Sequence, residues 1–462
     1  MAADNTTGAD IAQLPSPEQI ICILKKEGVA KDTYEIFSFE QKEQDGKSSF
    51  TLHRSSHVKG EDDKALQTLI DDFQVAGAPA HLQSGPQRRV HVVVSVRSGT
   101  GLSAQFYENV LAPLLEALGL SASGEDPGQK ASYHLLVTQD AESVKNFAKD
   151  LAVRDRAETG VEHTVVLLSG DGGVIDMLNG YASESADITS SSPPLIAILP
   201  LGTGNALFNS LHKKATTPAS SDLVQGLRTL LRGTAAPLPS FKAVFPTGSR
   251  TITYSETGDN STTASTPSLG EQAEYITHLY GVVVASYGFH SQLVWESDTP
   301  EYRKHGAKRF QMVAEELLKE SHAYRATVEI AQSSPATGGG KMMKKLDRDL
   351  HAYILATTVS NLEKTFCISP ASQPLDGQLR LVHFGPADGK KTMDIMMAAY
   401  DGGKHIGMDG VGYEEMDEIR ITTHEEDARW RKVCIDGTIV EIPAGGCMVV
   451  EKEARRHLGV LV

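Results

Sequence analysis

Between residues 87 and 238, short apolar runs alternate with segments of helical apolar spacing. The first run, RVHVVVSV (89–96), is rich in β-branched residues, as expected of a strand buried on both faces. Further strand-like runs follow at 133–139, 163–170 and 194–202, and helical segments at 106–120, 141–153, 173–181 and 204–211. Four strand–helix alternations predict an α/β domain with a parallel sheet covered by helices.

The regions on either side of residues 87–238 have a different pattern of apolar and polar residues. Residues 1–86 contain three short strand-like runs and one amphipathic segment, which predicts a small strand-rich N-terminal extension. Residues 239–462 contain mostly strand-like runs and one convincing helix at 302–321, which predicts a mostly antiparallel β-sandwich domain. Two polar stretches, 248–270 and 331–345, are predicted to be inserted surface loops.

Composition narrows the functional classes. The 462 residues carry 44 Lys+Arg against 59 Asp+Glu, a net charge of −15, which argues against a nucleic-acid partner. Four scattered cysteines give neither a disulfide framework nor a zinc cage and fit a reducing compartment. The chain has no apolar run of membrane-spanning length and begins without a signal-peptide pattern, so a cytoplasmic location is expected.

Three glycine-rich turns follow predicted strands of the α/β domain: SGTG (98–101), SGDGG (169–173) and GTGN (202–205). Ligands collect at the carboxyl ends of parallel strands, and glycine turns that open helices present backbone N–H groups to anions. One such turn is ordinary loop chemistry, but three at one sheet edge favour a ligand that carries phosphate. Neither a Walker P-loop nor a G-x-G-x-x-G fingerprint is present.

Asp171 stands between two glycines of the second turn. A carboxylate beside phosphates is repulsive unless it binds Mg²⁺ or accepts a proton from an attacking hydroxyl, the two tasks of a phosphoryl-transfer site. The simpler alternative is an N-cap aspartate of the helix that follows.

These motifs resemble a known family. VVLLSGDGGVIDMLNG (165–180) and AILPLGTGNALFNSL (197–211) are similar to the catalytic domain of the diacylglycerol kinase and sphingosine kinase superfamily. Matching motifs continue through VSVRSGTGLSA (94–104), the Y-R-x-x-G-x-x-R-F segment within 285–310, and VCIDGTIVEI (433–442). The resemblance implies a two-domain lipid kinase that binds ATP and Mg²⁺ in the cleft between an α/β nucleotide-binding domain and a β-sandwich domain.

The resemblance also assigns roles to residues. Asp171 would be the catalytic base and Asp436 would organise the metal. The nucleotide would be bound by residues of the three turns and by two arginines: Ser98, Gly99, Gly170, Gly172, Gly202, Thr203, Gly204, Asn205, Arg303 and Arg309. Bidentate pairing with phosphate suits arginine, although a solvated basic face would explain the two arginines equally well.

Several positions depart from the family pattern. Ser95 and Val96 replace Asn-Pro, Gly173 replaces a larger residue, and Asp176 and Thr438 replace glutamates. These departures keep a catalytically silent lipid-binding protein open as an alternative. A relative of NAD kinase or phosphofructokinase is a further alternative, disfavoured by the Y-R…R-F and D-G motifs.

The substrate class is less sharply defined. The spelling SGDG leans toward a sphingoid lipid (a long-chain base or ceramide), whereas PLGT leans toward diacylglycerol. Glu296 and Asp298 are the candidate partners for a substrate amine. The basic, methionine-containing stretch KMMKK (341–345) predicts a transient contact with a membrane surface. A homodimer is left open.

Overall fold

The computed structural model describes residues 14–28, 32–44, 47–96, 98–122, 132–158, 160–184, 192–213, 220–254, 271–306, 308–333 and 341–462. The N-terminal unit is a four-stranded sheet of order β3-β2-β1-β4 with one helix packed on it. Its elements are β1 (Ile20–Lys25), β2 (Thr33–Gln44), β3 (Lys47–Val58), α1 (Lys64–Phe73) and β4 (Gln74–Val75). Phe39 and Phe50 pack edge-on against Phe106, with ring centroids 5.9 and 5.4 Å away, so this unit shares a core with the following domain.

The second unit is the α/β domain. Its elements are β5 (Arg88–Val94), α2 (Ser103–Phe106), α3 (Ala112–Ala117), β6 (His134–Val137), α4 (Ser143–Ala157), β7 (Glu162–Ser169), α5 (Asp171–Glu184), β8 (Leu195–Pro200), α6 (Ala206–Leu211), α7 (Asp222–Arg232) and β9 (Ala235–Pro237). Strands β6, β5, β7 and β8 are neighbours in that order and run parallel. The predicted parallel sheet is therefore confirmed, and the ends of β5, β7 and β8 bring the three glycine turns to one edge.

The third unit is a β-sandwich. Its strands are β10 (Phe241–Val244), β11 (Arg250–Tyr254), β12 (Glu271–Tyr275), β13 (His278–Gly281), β14 (Val284–Gly288), β15 (Tyr324–Ser333), β16 (Lys341–Lys345), β17 (Leu350–His351), β18 (Tyr353–Thr357), β19 (Leu379–Phe384), β20 (Val411–Met416), β21 (Glu418–Thr423), β22 (Lys432–Ile435), β23 (Thr438–Glu441) and β24 (Cys447–Lys452). Its helices are α8 (Phe289–Ser297), α9 (Pro300–Arg303), α10 (Lys308–Glu320) and α11 (Gly389–Tyr400). Two antiparallel sheets, β13-β10-β24-β21-β15-β16 and β12-β11-β23-β22-β14-β18-β19-β20, enclose one apolar core. The predicted antiparallel sandwich is confirmed.

Three local predictions differ from the structure. KMMKK is not a loop but the edge strand β16, paired with β15, because lysines are common on edge strands and conceal the strand pattern. The predicted loop 248–270 contains β11, and its residues 255–270 lie outside the described part of the chain, as do 334–340 of the other predicted loop. The predicted helix 302–321 is divided into α9 and α10.

The C-terminal segment returns to the α/β domain. Strand β25 (Gly459–Leu461) pairs parallel with β8 and antiparallel with β9. The sequence assigned this segment to the 239–462 domain, because three residues carry too little pattern to reveal a partner so distant along the chain. Among the described residues, no helix combines the length and apolarity that crossing a bilayer requires.

Candidate active site

The three glycine turns are in direct backbone contact. A Cβ atom built on Gly99 would lie 2.6 Å from the Cα of Gly202, and one built on Gly170 would lie 2.7 Å from the same Cα. Gly99 also has a positive φ of 48°. Side chains at these positions would separate the turns, so glycine is required here by close approach.

Two polar side chains fix the geometry of the turns. The Ser98 hydroxyl oxygen accepts hydrogen bonds from the Gly170 N–H (3.1 Å) and from the Ser169 hydroxyl (3.1 Å). Asn205, which has a left-handed backbone (φ 51°), accepts from the Gly202 N–H (3.0 Å) and donates to the Gly202 carbonyl (3.0 Å). These bonds hold the turns together without using every backbone donor.

The remaining donors suit an anion. Within the described part of the chain, the N–H groups of Gly99, Thr203 and Gly204 have no hydrogen-bond acceptor. Gly99 and Thr203 are exposed, and the helices that follow add the positive ends of their dipoles. The cluster has the chemistry of a phosphate-binding site.

Asp171 lies beside this cluster and connects two of the turns. Its two carboxylate oxygens accept from the Ala206 N–H (2.7 Å) and the Leu207 N–H (2.9 Å), at the start of α6. The aspartate therefore caps a neighbouring helix, whereas the simpler alternative had placed it as the cap of its own helix. Burial raises the pKa of Asp171 and the two N–H groups oppose that shift. Each oxygen keeps acceptor capacity for one further contact.

Asp436 approaches from the β-sandwich, in the turn between β22 and β23, with a left-handed φ of 48°. Its carboxylate accepts from the N–H groups of Val282 (2.6 Å), Val283 (3.0 Å) and Val284. Burial raises the pKa of Asp436 to about 7; the three N–H groups oppose the shift, and the charge of Asp171 adds to it. The charge of Asp171 in the α/β domain therefore acts on the Asp436 carboxylate in the β-sandwich.

The two carboxylates differ in what they could offer a metal ion. The oxygens of Asp436 already receive three N–H groups, one of which contacts both oxygens, so Asp436 has less acceptor capacity left than Asp171. Asp171 retains free acceptor positions. Among the described residues, no group of three His, Cys, Asp or Glu side chains could hold a metal. The residues therefore fit a Mg²⁺ ion that is held mainly by substrate phosphates and water, with Asp171 as the protein carboxylate.

The remaining predicted site residues, Arg303, Arg309, Glu296 and Asp298, are all engaged in ion pairs. Arg303 pairs with Asp298 in a bidentate arrangement (3.0 and 2.6 Å), and Arg309 approaches the same carboxylate (3.5 Å). Glu296 pairs with Arg429 (3.0 Å). No hydrogen bond or ion pair between described residues joins Arg303 or Arg309 to the glycine turns, and both acids proposed for a substrate amine are already neutralised.

The departures from the family pattern have local explanations in two cases. A Cβ on Gly173 would lie 2.5 Å from the Ser169 hydroxyl oxygen, so Ser169 occupies the space of the larger residue. Asp176 lies toward α4, where burial raises its pKa to about 7 and the charge of Glu142 adds to the shift. Ser95 closes a turn only through its backbone carbonyl, which accepts from the Ser98 N–H (3.2 Å), so this contact does not explain the serine side chain. Nothing in the structure explains Thr438.

Sequence reasoning missed Asn179. Its side-chain amide, on α5, bonds both backbone groups of Tyr280 in the other domain. An asparagine within a helix is unfavourable unless its side chain has a specific partner, and that was the available signal.

The family model of the diacylglycerol kinase catalytic domain matches residues 89–238, a range that contains all three turns and Asp171. Residues 89–238 thus match a diacylglycerol kinase catalytic domain, which agrees with the resemblance seen in the motifs and supports a lipid kinase.

Two known proteins are similar to this chain. Sphingosine kinase 1 of Caenorhabditis elegans is 28% identical over 180 residues, which cover 39% of this chain and 33% of that protein. The match thus spans about a third of the relative's length. A crystal structure described as a diacylglycerol kinase from Bacillus anthracis str. Sterne covers 82% of this chain and 98% of its own, with 13% identity and a TM-score of 0.45.

The first prediction concerns the contact between the turns of the catalytic domain. Gly202→Ala places a Cβ 2.5 Å from the Gly170 Cα, and we expect it to lower the free energy of unfolding by about 1–3 kcal/mol, as overpacking does. Gly172→Ala is the matched control, because a Cβ there meets nothing within 4 Å. Chemical denaturation of both variants checks this. Equal stability of the two variants would contradict the packing described.

The second prediction concerns pH. Aspartate has a pKa of about 4 when unfolded, whereas that of Asp436 is about 7 in the folded protein. Between these values the folded state binds more protons, so the stability of the ligand-free protein should fall as pH rises, by at most about 1.4 kcal/mol per pH unit for this group. Denaturation between pH 4 and 7 should show a smaller slope in Asp436→Asn and an unchanged slope in Asp388→Asn. An unchanged slope in Asp436→Asn would refute the prediction.

Proposed function

We propose that this chain is an ATP-dependent kinase that transfers the γ-phosphoryl group to the primary hydroxyl of a sphingoid-type lipid. The observation that carries the proposal is the arrangement of unpaired backbone N–H groups in three touching turns beside the Asp171 carboxylate. Donors for phosphate and an acceptor for a hydroxyl proton are the two parts that phosphoryl transfer needs.

Phosphate binding and proton acceptance are assigned to different residues of the chain. The N–H groups of Gly99, Thr203 and Gly204 bind phosphate oxygens, and the contact between Gly170 and Gly202 keeps these donors in register. Asp171 accepts the proton of the lipid hydroxyl on an oxygen position that α6 leaves open. Its raised pKa makes it a better base near neutral pH than an ordinary aspartate. When bound, Mg²⁺ would neutralise charge on the phosphates.

Two observations, a sequence similarity and a set of ion pairs, bear on the class of lipid. The similarity to a sphingosine kinase over 180 residues favours a sphingoid lipid. The ion pairs of Glu296 with Arg429 and of Asp298 with two arginines leave neither acid available for an ammonium group. The second observation favours a neutral acceptor, ceramide among sphingoid lipids, with diacylglycerol as the second candidate.

The third prediction tests this function. With Mg-ATP and vesicles containing sphingosine, ceramide or diacylglycerol, the wild type should form a lipid phosphate. Asp171→Asn should lower kcat by about 10²–10⁴-fold, the usual contribution of a general base. Asp388→Asn is the matched control, since Asp388 also accepts a backbone N–H at a helix start (Lys391, 2.7 Å). Absence of any lipid phosphate from the wild type would refute the kinase, and full activity of Asp171→Asn would refute the base.

We also propose that the edge strand β16 contacts the membrane that holds the lipid. Met342 is 64% exposed, and strand alternation puts it on the same face as Lys344. Lys341 and Lys345, on the opposite face, are paired with Glu418 and Asp349. An apolar side chain beside a lysine suits an anionic bilayer surface, and this contact is local because the whole chain is acidic.

The fourth prediction tests this contact by vesicle sedimentation. Met342→Ser combined with Lys344→Glu should weaken binding to vesicles containing phosphatidylserine, because one apolar anchor is lost and one charge is reversed, at about 1 kcal/mol per basic residue. The matched control is Val58→Ser with Lys59→Glu, at another edge strand, where Val58 is 54% exposed. Equal binding of the two double variants would refute the assignment.

A further inference from the structure

Asn179 joins the catalytic domain to the β-sandwich. Its side-chain oxygen accepts from the Tyr280 N–H (2.9 Å), and its side-chain nitrogen donates to the Tyr280 carbonyl (2.9 Å). Tyr280 belongs to β13, an edge strand whose other side pairs with β10. The amide of Asn179 therefore bonds the outward-facing N–H and carbonyl of Tyr280 as a neighbouring peptide group would.

The segment after Tyr280 leads directly to Asp436. The N–H groups of Val282, Val283 and Val284 all point to the Asp436 carboxylate. Gly281 lies between these residues and Tyr280, and a Cβ there would lie 2.9 Å from an Asp436 oxygen. Asp436 is thus positioned by the backbone that Asn179 holds.

This segment is also held on its carbonyl side. The Thr357 hydroxyl donates to the Val283 carbonyl (2.7 Å), and the Thr358 hydroxyl donates to the Val282 carbonyl (2.7 Å). With both kinds of backbone group bonded, the segment has little freedom to absorb a displacement at Tyr280. A shift at one end would therefore reach Asp436 at the other.

We infer that Asn179 is a positioning residue that sets the placement of Asp436 relative to Asp171. Helix α5 determines the position of both carboxylates. Asp171 is its first residue, and Asn179, which holds the segment that positions Asp436, lies further along the same helix. One rigid helix thus carries one carboxylate and, through Tyr280 and the 282–284 segment, locates the other. The kinetic part of this inference rests on the proposed kinase function.

The fifth prediction tests this role. Asn179→Ala should lower kcat by about 10- to 100-fold, because it would shift the Asp436 carboxylate, whose charge interacts with that of Asp171, and small misplacements at a reacting site have effects of this size. The KM for ATP should stay close to that of the wild type, because the phosphate donors lie in turns that Asn179 does not touch. Asn179→Asp, which keeps the acceptor but places an oxygen against the Tyr280 carbonyl, should also lower kcat, because the donor is lost. Asn146→Ala, at an exposed position of α4, is the matched control.

A second readout needs no activity. In Asn179→Ala, the amides of Val282, Val283 and Val284 should exchange with deuterium about tenfold faster, although none of them contacts Asn179. If the wild type has no lipid kinase activity but Asn179→Ala shows the faster exchange, the proposed function is refuted and the positioning role is supported. Unchanged exchange in Asn179→Ala, or a loss of activity explained wholly by less folded protein, would overturn the inference.

Discussion

The carboxylate of Asp171 is the contact on which the arrangement of the site depends. Helix α6 is preceded by Asn205 at its N-cap position, but the Asn205 side chain is engaged with Gly202 and does not cap the helix. The first N–H groups of α6 consequently need an acceptor from elsewhere, and Asp171 supplies both oxygens. One side chain therefore satisfies a helix start, ties the second turn to the third, and stands beside the phosphate donors.

The second carboxylate of the site belongs to the β-sandwich, so the arrangement of the site depends on how the two domains are held together. Asp436 receives N–H groups of three consecutive residues, and its pKa is raised partly by the charge of Asp171. Two acids in this relation repel each other, so their separation has to be fixed by other contacts. Asn179 does this on one side, and strand β25, which returns the chain to the α/β sheet, ties the two domains a second time.

The sequence predicted the parts of the fold that have strong local signals. Strands β5, β7 and β8 are continuous apolar runs, and the turns after them are marked by glycines whose close approach the structure explains. Long-range pairing was beyond it: the partner of β25 and the cap that Asp171 gives to α6 both depend on contacts that no local pattern encodes. Edge strand β16 was predicted as a loop because its lysines conceal the alternation.

The charge balance of the site restricts where the positive charge for a triphosphate comes from. The chain is acidic overall, the site contains two carboxyl groups, and Arg303 and Arg309 are bound to Asp298. Backbone N–H groups carry only partial charges, so they can orient phosphates but cannot neutralise them. A nucleotide that binds here can bring its own cation, or its phosphates can draw these two described arginines from Asp298. In either case the added positive charge would lie beside Asp171, the residue proposed to accept the proton of the lipid hydroxyl.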